Sequence, residues 1–119
     1  MASQDPKHDR RIDYIEIAAT DIEATKRFYQ SVFGWKFTDY GPDYTSFEDG
    51  RITGGFYKAD SARPGSVLVV MFAVDLEAME KKVRDARAKI VKPIFSFPGG
   101  RRFHFADPSG NELAVWSDR

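Results

Sequence analysis

Two histidines, a few carboxylates set among apolar residues and no cysteine define the chemistry open to this chain. Without cysteine there are no disulfides, thiolate metal sites or thiol nucleophiles. His8 lies in the polar N-terminal stretch MASQDPKHDRR, so His104 is the histidine set in a strand-like run, Arg101-Arg102-Phe103-His104-Phe105. Alternation there puts His104 and Arg102 on one face and Phe103 and Phe105 on the other. Such a pair can bind an anionic group, although an exposed strand face is its commoner setting. Glu16 sits in Tyr14-Ile15-Glu16-Ile17-Ala18, where the same alternation groups Tyr14 and Glu16 against Ile15 and Ile17. A carboxylate in a partly dry pocket anchors a ligand's donor or takes a proton, which makes Glu16 the best catalytic candidate. Its competing role is a structural hydrogen-bond network, and Tyr14 reads as a pocket wall rather than a catalytic phenol. Gly99-Gly100-Arg101-Arg102 has the glycines of a phosphate loop but no following helix and no Lys-Ser/Thr, so it reads as a hairpin turn. There is no Gly-x-Ser-x-Gly elbow and no dinucleotide glycine fingerprint.

The elements that must position these residues come from an internal repeat. Asp21-Ile22-Glu23-Ala24 returns as Asp75-Leu76-Glu77-Ala78, and at the same offset Ile22, Thr25, Tyr29 and Val32 fall on Leu76, Met79, Val83 and Ala86. Steps of three and four mark one face of an amphipathic helix. Thr20 with Glu23 has capping-box spacing, which starts the first helix near Asp21, and Gly34 is placed to end it. The counterpart of Gly34 is Ala88, a poorer stop. Each helix follows a β-like run, 12–19 or 67–74, and precedes three more: 35–40, 44–48 and 52–58 in the first half, 89–97, 101–106 and 112–117 in the second. Gly41-Pro42, Asp49-Gly50, Pro98-Gly99-Gly100 and Asp107-Pro108-Ser109-Gly110 supply the turns. The reading is a flexible N-terminus over 1–10 and one domain over 11–118. Its first module covers about 11–58, a linker 59–65, and a second module about 66–118. The fold class is α+β, two tandem β-α-β-β-β modules forming a cupped mixed sheet, with a ferredoxin-like dimeric barrel as the competing architecture. Parity puts Val69 and Met71 toward the cavity with Val70 and Phe72 toward the helices, and groups Glu112, Ala114 and Trp116 against Leu113 and Val115. A wall of Tyr14, Met71 and Trp116 suits a planar or apolar small molecule.

With its ordered marks, the chain resembles the vicinal oxygen chelate superfamily, which holds glyoxalase I, bleomycin-resistance proteins and extradiol dioxygenases. The marks are Asp21 before the helix, Phe28-Tyr29 with Phe33-Gly34-Trp35, Tyr44-Thr45-Ser46-Phe47, Gly54-Gly55-Phe56, and Asp107-Pro108-Ser109-Gly110-Asn111. The resemblance covers about Ile12 to Ser117 and points to the small glyoxalase-like branch. It implies a divalent metal held on the concave sheet by His or Gln and Glu, acting as a Lewis acid or assisting proton transfer. Position by position, the family's ligands fall on Tyr14, near Gly55, near Val69 and on Ala114, none of them a usual ligand. The expectation is therefore no metal and no other cofactor.

Eighteen basic residues balance eighteen acidic ones in 119, so no net field attracts nucleic acid or an anionic membrane. The apolar share of 42% and charged share of 30% belong to a soluble globular domain. The longest apolar run is too short to span a bilayer, and the N-terminus has no apolar signal core, which makes the cytoplasm the expected location. Ten Phe, five Tyr and two Trp exceed the needs of a minimal core and suit a lined pocket or a homodimer interface. The functional expectation is a glyoxalase/bleomycin-resistance-like protein that binds a small organic molecule in a cavity lined by Tyr14, Glu16, Val69, Met71, Arg102, Glu112, Ala114 and Trp116. The alternative is a metal-dependent lyase, isomerase or dioxygenase with atypical ligands. An accessory domain for a protein partner is a third reading.

Overall fold

The computed structural model describes residues 5–62, 67–108 and 110–119. The end of the expected linker and Ser109 of the Asp-Pro-Ser-Gly turn lie outside the described residues. The chain runs β1 (Arg11–Ala19), α1 (Ile22–Phe33), β2 (Lys36–Asp39), β3 (Tyr44–Glu48), β4 (Thr53–Lys58), β5 (Val67–Phe72), α2 (Leu76–Asp85), β6 (Lys89–Phe97), β7 (Gly100–Ala106) and β8 (Glu112–Ser117). This is the β-α-β-β-β order twice, an α+β fold. None of the described helices is long and apolar enough to cross a membrane.

The chain divides into two compact units. One comprises residues 14–67, the other the N-terminal segment through Asp13 together with 68–119. The first unit orders its strands β2-β3-β4-β1, with β1 parallel to β4 and the remaining pairs antiparallel. The second repeats the plan as β6-β7-β8-β5, with β5 parallel to β8. From residue 5 onward the N-terminal segment is hydrogen-bonded to the end of β5 and the residues after it. After a short turn at Pro6–His8, the Arg10 amide donates to the Phe72 carbonyl at 2.7 Å. The Asp9 carboxylate accepts from the Val74 amide at 2.9 Å.

The repeated aspartates begin both helices. Asp21 accepts from the Ala24 amide and Asp75 from the Ala78 amide, each at 3.0 Å, so each satisfies an orphan donor of the first turn. The cap is thus Asp21 itself, one residue beyond the expected Thr20. Gly34 ends α1 in the left-handed conformation, at φ 73°. Helix α2 stops at Asp85, and Arg87 takes the left-handed conformation there instead of a glycine, at φ 67°.

Each helix covers one face of its own sheet. The core between α1 and its sheet holds Ala19, Ile22, Phe47 and Phe56, with Ile17, Tyr29, Trp35 and Phe37 packed against them. The expected helix-face residue Val32 is instead exposed. Under α2 lie Ala73, Leu76, Phe103 and Val115, with Met71, Met79, Val83 and Phe105 among their neighbours. Met71 pairs with Val115 across β5 and β8 and belongs to the helix-covered core, so the expectation that it lines a cavity is corrected. Alternation carries Val69 to that same face, which removes it from the cavity as well. The helix-free face of β5 carries Val70 and Phe72, both fully buried, opposite Ala114 and Trp116.

Candidate functional site

The helix-free face of the first unit is built around one hydrogen-bonded chain. Tyr14 and Glu16 project from the same side of β1, and Tyr44 from β3 stands between them. The Tyr44 hydroxyl donates to Glu16 Oε2 at 3.1 Å and lies 2.7 Å from the Tyr14 hydroxyl. Tyr44 has a single proton and commits it to Glu16, so Tyr14 donates to Tyr44 and the order runs Tyr14 to Tyr44 to Glu16. Tyr14 is 3% exposed and Glu16 8%, so both ends of this polar network are buried, while Tyr44 between them is half-buried. Burial, then the bond to Tyr14, pushes the Tyr44 phenol far above its ordinary value, so it stays a neutral donor.

What makes room for the two rings is Gly55 on β4. It is the register partner of Glu16 and of Ser46. A Cβ at Gly55 would run into the Tyr44 ring and hydroxyl and would lie 2.8 Å from the Tyr14 hydroxyl. The resemblance puts first-module ligand positions on Tyr14 and near Gly55, and here the Tyr14 and Tyr44 phenols meet above Gly55. Neutral phenols are poor donors for a divalent ion. In the second unit Val69 faces the helix side and Ala114 offers a methyl group. Among the described residues no group of three or more His, Asp or Glu side chains is placed to hold a metal. The donor set does not fit the family's metal.

In the second unit, β7 and β8 bring Arg102 opposite Trp116, His104 opposite Ala114, and Ala106 opposite Glu112, on the face away from α2. Trp116 is fully buried; its ring lies against Phe72 and Phe97, and its indole N–H donates to Asp13 at 2.9 Å. Ala114 is likewise covered. His104 is 3% exposed, which corrects the expectation of an exposed strand face. Its Nδ1 lies 2.9 Å from Glu112 Oε2, and burial, as the leading cause, holds its pKa below the ordinary histidine value. The Arg102 guanidinium lies over the Phe95 and Phe97 rings at 5.5 and 5.6 Å. His8 lies in the N-terminal turn, away from these groups in sequence, and belongs to no metal-binding cluster among the described residues.

Of the sequence-predicted site residues, the structure joins Tyr14 with Glu16 in one unit. In the other it sets Arg102, Glu112, Ala114 and Trp116 along one sheet face, and moves Val69 and Met71 to the opposite face. Sequence reasoning missed Tyr44, the hinge of the first network. Alternation in β3, with Tyr44 and Ser46 opposite Thr45 and Phe47, was the available signal. It also missed the His104–Glu112 pair, whose signal was the hairpin register across the Asp-Pro-Ser-Gly turn.

The chain is 29% identical, over 87% of its length, to the anthracycline biosynthesis protein DauV of a Streptomyces species. It spans 45% of that relative's length. Among solved structures, the Mn(II)-bound glyoxalase of Novosphingobium aromaticivorans superposes with a TM-score of 0.70 at 24% identity, covering 93% of this chain and 40% of the other. A glyoxalase/bleomycin resistance protein/dioxygenase superfamily member from Vibrio splendidus does so with a TM-score of 0.69 at 16% identity, covering 91% and 98%. These two likenesses establish the fold. With two β-α-β-β-β modules in place and the superfamily's sequence model matching residues 11–115, the chain belongs to the Glyoxalase/Bleomycin resistance protein/Dioxygenase superfamily.

Proposed function

We propose that this protein binds a small, planar organic molecule on the helix-free face of its first module, with Glu16 as polar anchor and without a divalent metal. The observation that carries this reading is the Tyr14–Tyr44–Glu16 chain seated over Gly55, at positions that the resemblance alone marks for metal ligands. A buried carboxylate fixed by a phenol accepts a hydrogen bond from a ligand hydroxyl with little reorganisation. The name of the Streptomyces relative suggests the ligand class, since anthracyclines are flat, hydroxyl-bearing polycyclic aromatics. A competing metal-dependent lyase, isomerase or dioxygenase would need donors beyond such a cluster, since the described residues form no group of three or more His, Asp or Glu side chains placed to hold an ion.

Anthracycline fluorescence supplies the test. Titration of the native chain should show saturable binding in the micromolar range, about −8 kcal/mol. Glu16→Gln keeps the shape and removes the charge, and should weaken binding about tenfold, as expected for a bond to a charged acceptor. Absence of saturable binding, or equal affinity in the two proteins, would overturn the reading.

A further inference from the structure

The second module carries a dyad that the proposed site does not use. We propose that His104 is a proton-accepting residue for an acidic O–H ligand, a phenol, enol or carboxylic acid. Glu112 positions its ring, and Arg102 balances the charge that the ligand acquires.

The tautomer follows from the partner. The Glu112 carboxylate only accepts, so the Nδ1 that lies 2.9 Å from it carries the proton. A neutral ring then presents its lone pair at Nε2. That atom is buried and has no hydrogen-bond partner among the described residues, a condition that in a folded protein calls for an explanation. The groups facing the ring from the packed strands are Lys92 on β6, Arg102 on β7 and Glu112 on β8. Burial, and after it the two cations, keep His104 neutral and therefore open to a proton, while Glu112 opposes them. Aromatic and cationic groups adjoin the ring. The Phe95 ring lies 5.7 Å from the imidazole, and the Arg102 guanidinium is spread over Phe95 and Phe97.

The step balances without any co-reactant. The ligand's O–H bond breaks, its electron pair stays on oxygen, and the proton forms an N–H bond at Nε2. The imidazolium is held by Glu112, and the new oxyanion faces the positive charge of Arg102. No residue of the Tyr14–Tyr44–Glu16 site takes part, so the two proposals fail separately.

The test uses the full chain labelled with nitrogen-15 in its two histidines, with 4-nitrophenol as probe, a phenol that turns yellow on ionising near neutrality. In buffer just below neutrality, where the probe alone is largely un-ionised, the free protein should show His104 as the Nδ1–H tautomer, with His8 as internal control. Millimolar 4-nitrophenol should protonate Nε2 while the nitrophenolate band grows in step. Glu112→Gln removes the fixed acceptor, and should lose the tautomer signature and weaken probe ionisation about tenfold. Arg102→Met should weaken ionisation similarly and leave the tautomer in place. An Nε2–H tautomer in the free protein, His104 signals unmoved by the probe, or native-like behaviour of Glu112→Gln would overturn the proposal.

Discussion

Gly55 carries no chemistry of its own, yet its missing Cβ is what lets Tyr14 and Tyr44 meet above β4 and pass their hydrogen bonds to Glu16. Gly55→Ala should therefore cost about 1–3 kcal/mol, the usual price of overpacking, and lower ligand affinity with it. Urea denaturation beside the anthracycline titration would measure both. His104 makes a pH prediction whose sign is fixed by its depressed pKa. The unfolded chain takes up a proton near the ordinary value of 6.5, while the folded chain resists until a lower pH. The unfolded state thus binds more protons in that window, and stability rises with pH across it. The contribution is complete above 6.5 and is lost as the pH falls toward and through the folded value. In His104→Gln the fall in urea midpoint between neutral and mildly acidic buffer should be smaller than in the native chain. The pairing of Tyr14 with Glu16 was legible because Ile15 and Ile17 between them are plainly apolar. Met71 was misread for the opposite reason. The run from Val67 to Val74 is apolar at every position, so alternation gives two faces but not which of them meets the helix.

At the scale of elements, the repeat carried most of the information. Glycine, proline and aspartate clusters bounded the strands closely, because turn chemistry is local. Contacts across strands were not legible, since Tyr44 meets Glu16 only through β4, and His104 meets Glu112 only through the β7–β8 register. Nor was the attachment of Asp9 and Arg10 to the end of β5, which joins residues more than sixty positions apart. The duplicated caps make a paired prediction. Asp21→Ala and Asp75→Ala should each destabilise by about 1 kcal/mol, the ordinary worth of an N-cap side chain. Their helices should fray at the first turn in amide exchange. Unequal costs, with one near zero, would show that the repeat is not an energetic one. Arg87→Gly should act in the opposite direction, by up to about 1 kcal/mol, because glycine holds a positive φ without strain.

At the scale of the whole molecule, the aromatic surplus is only partly spent in the two cores. Phe28, Val32 and Phe33 of α1 are more than half exposed, and the two phenylalanine rings pack edge-on at 6.2 Å. We propose that this exposed apolar patch pairs with its own copy, two-fold pairing being the commonest oligomeric symmetry. The expected outcome of sedimentation at tens of micromolar is a homodimer that Phe28→Glu with Phe33→Glu disperses; a native monomer would contradict it. The central claim is the proposal that ligand binding needs no divalent metal. Protein purified without chelator should contain far less than one divalent ion per chain by elemental analysis, and its anthracycline affinity should survive chelator dialysis unchanged. About one tightly held ion per chain, with binding lost on its removal and restored on its return, would contradict the account.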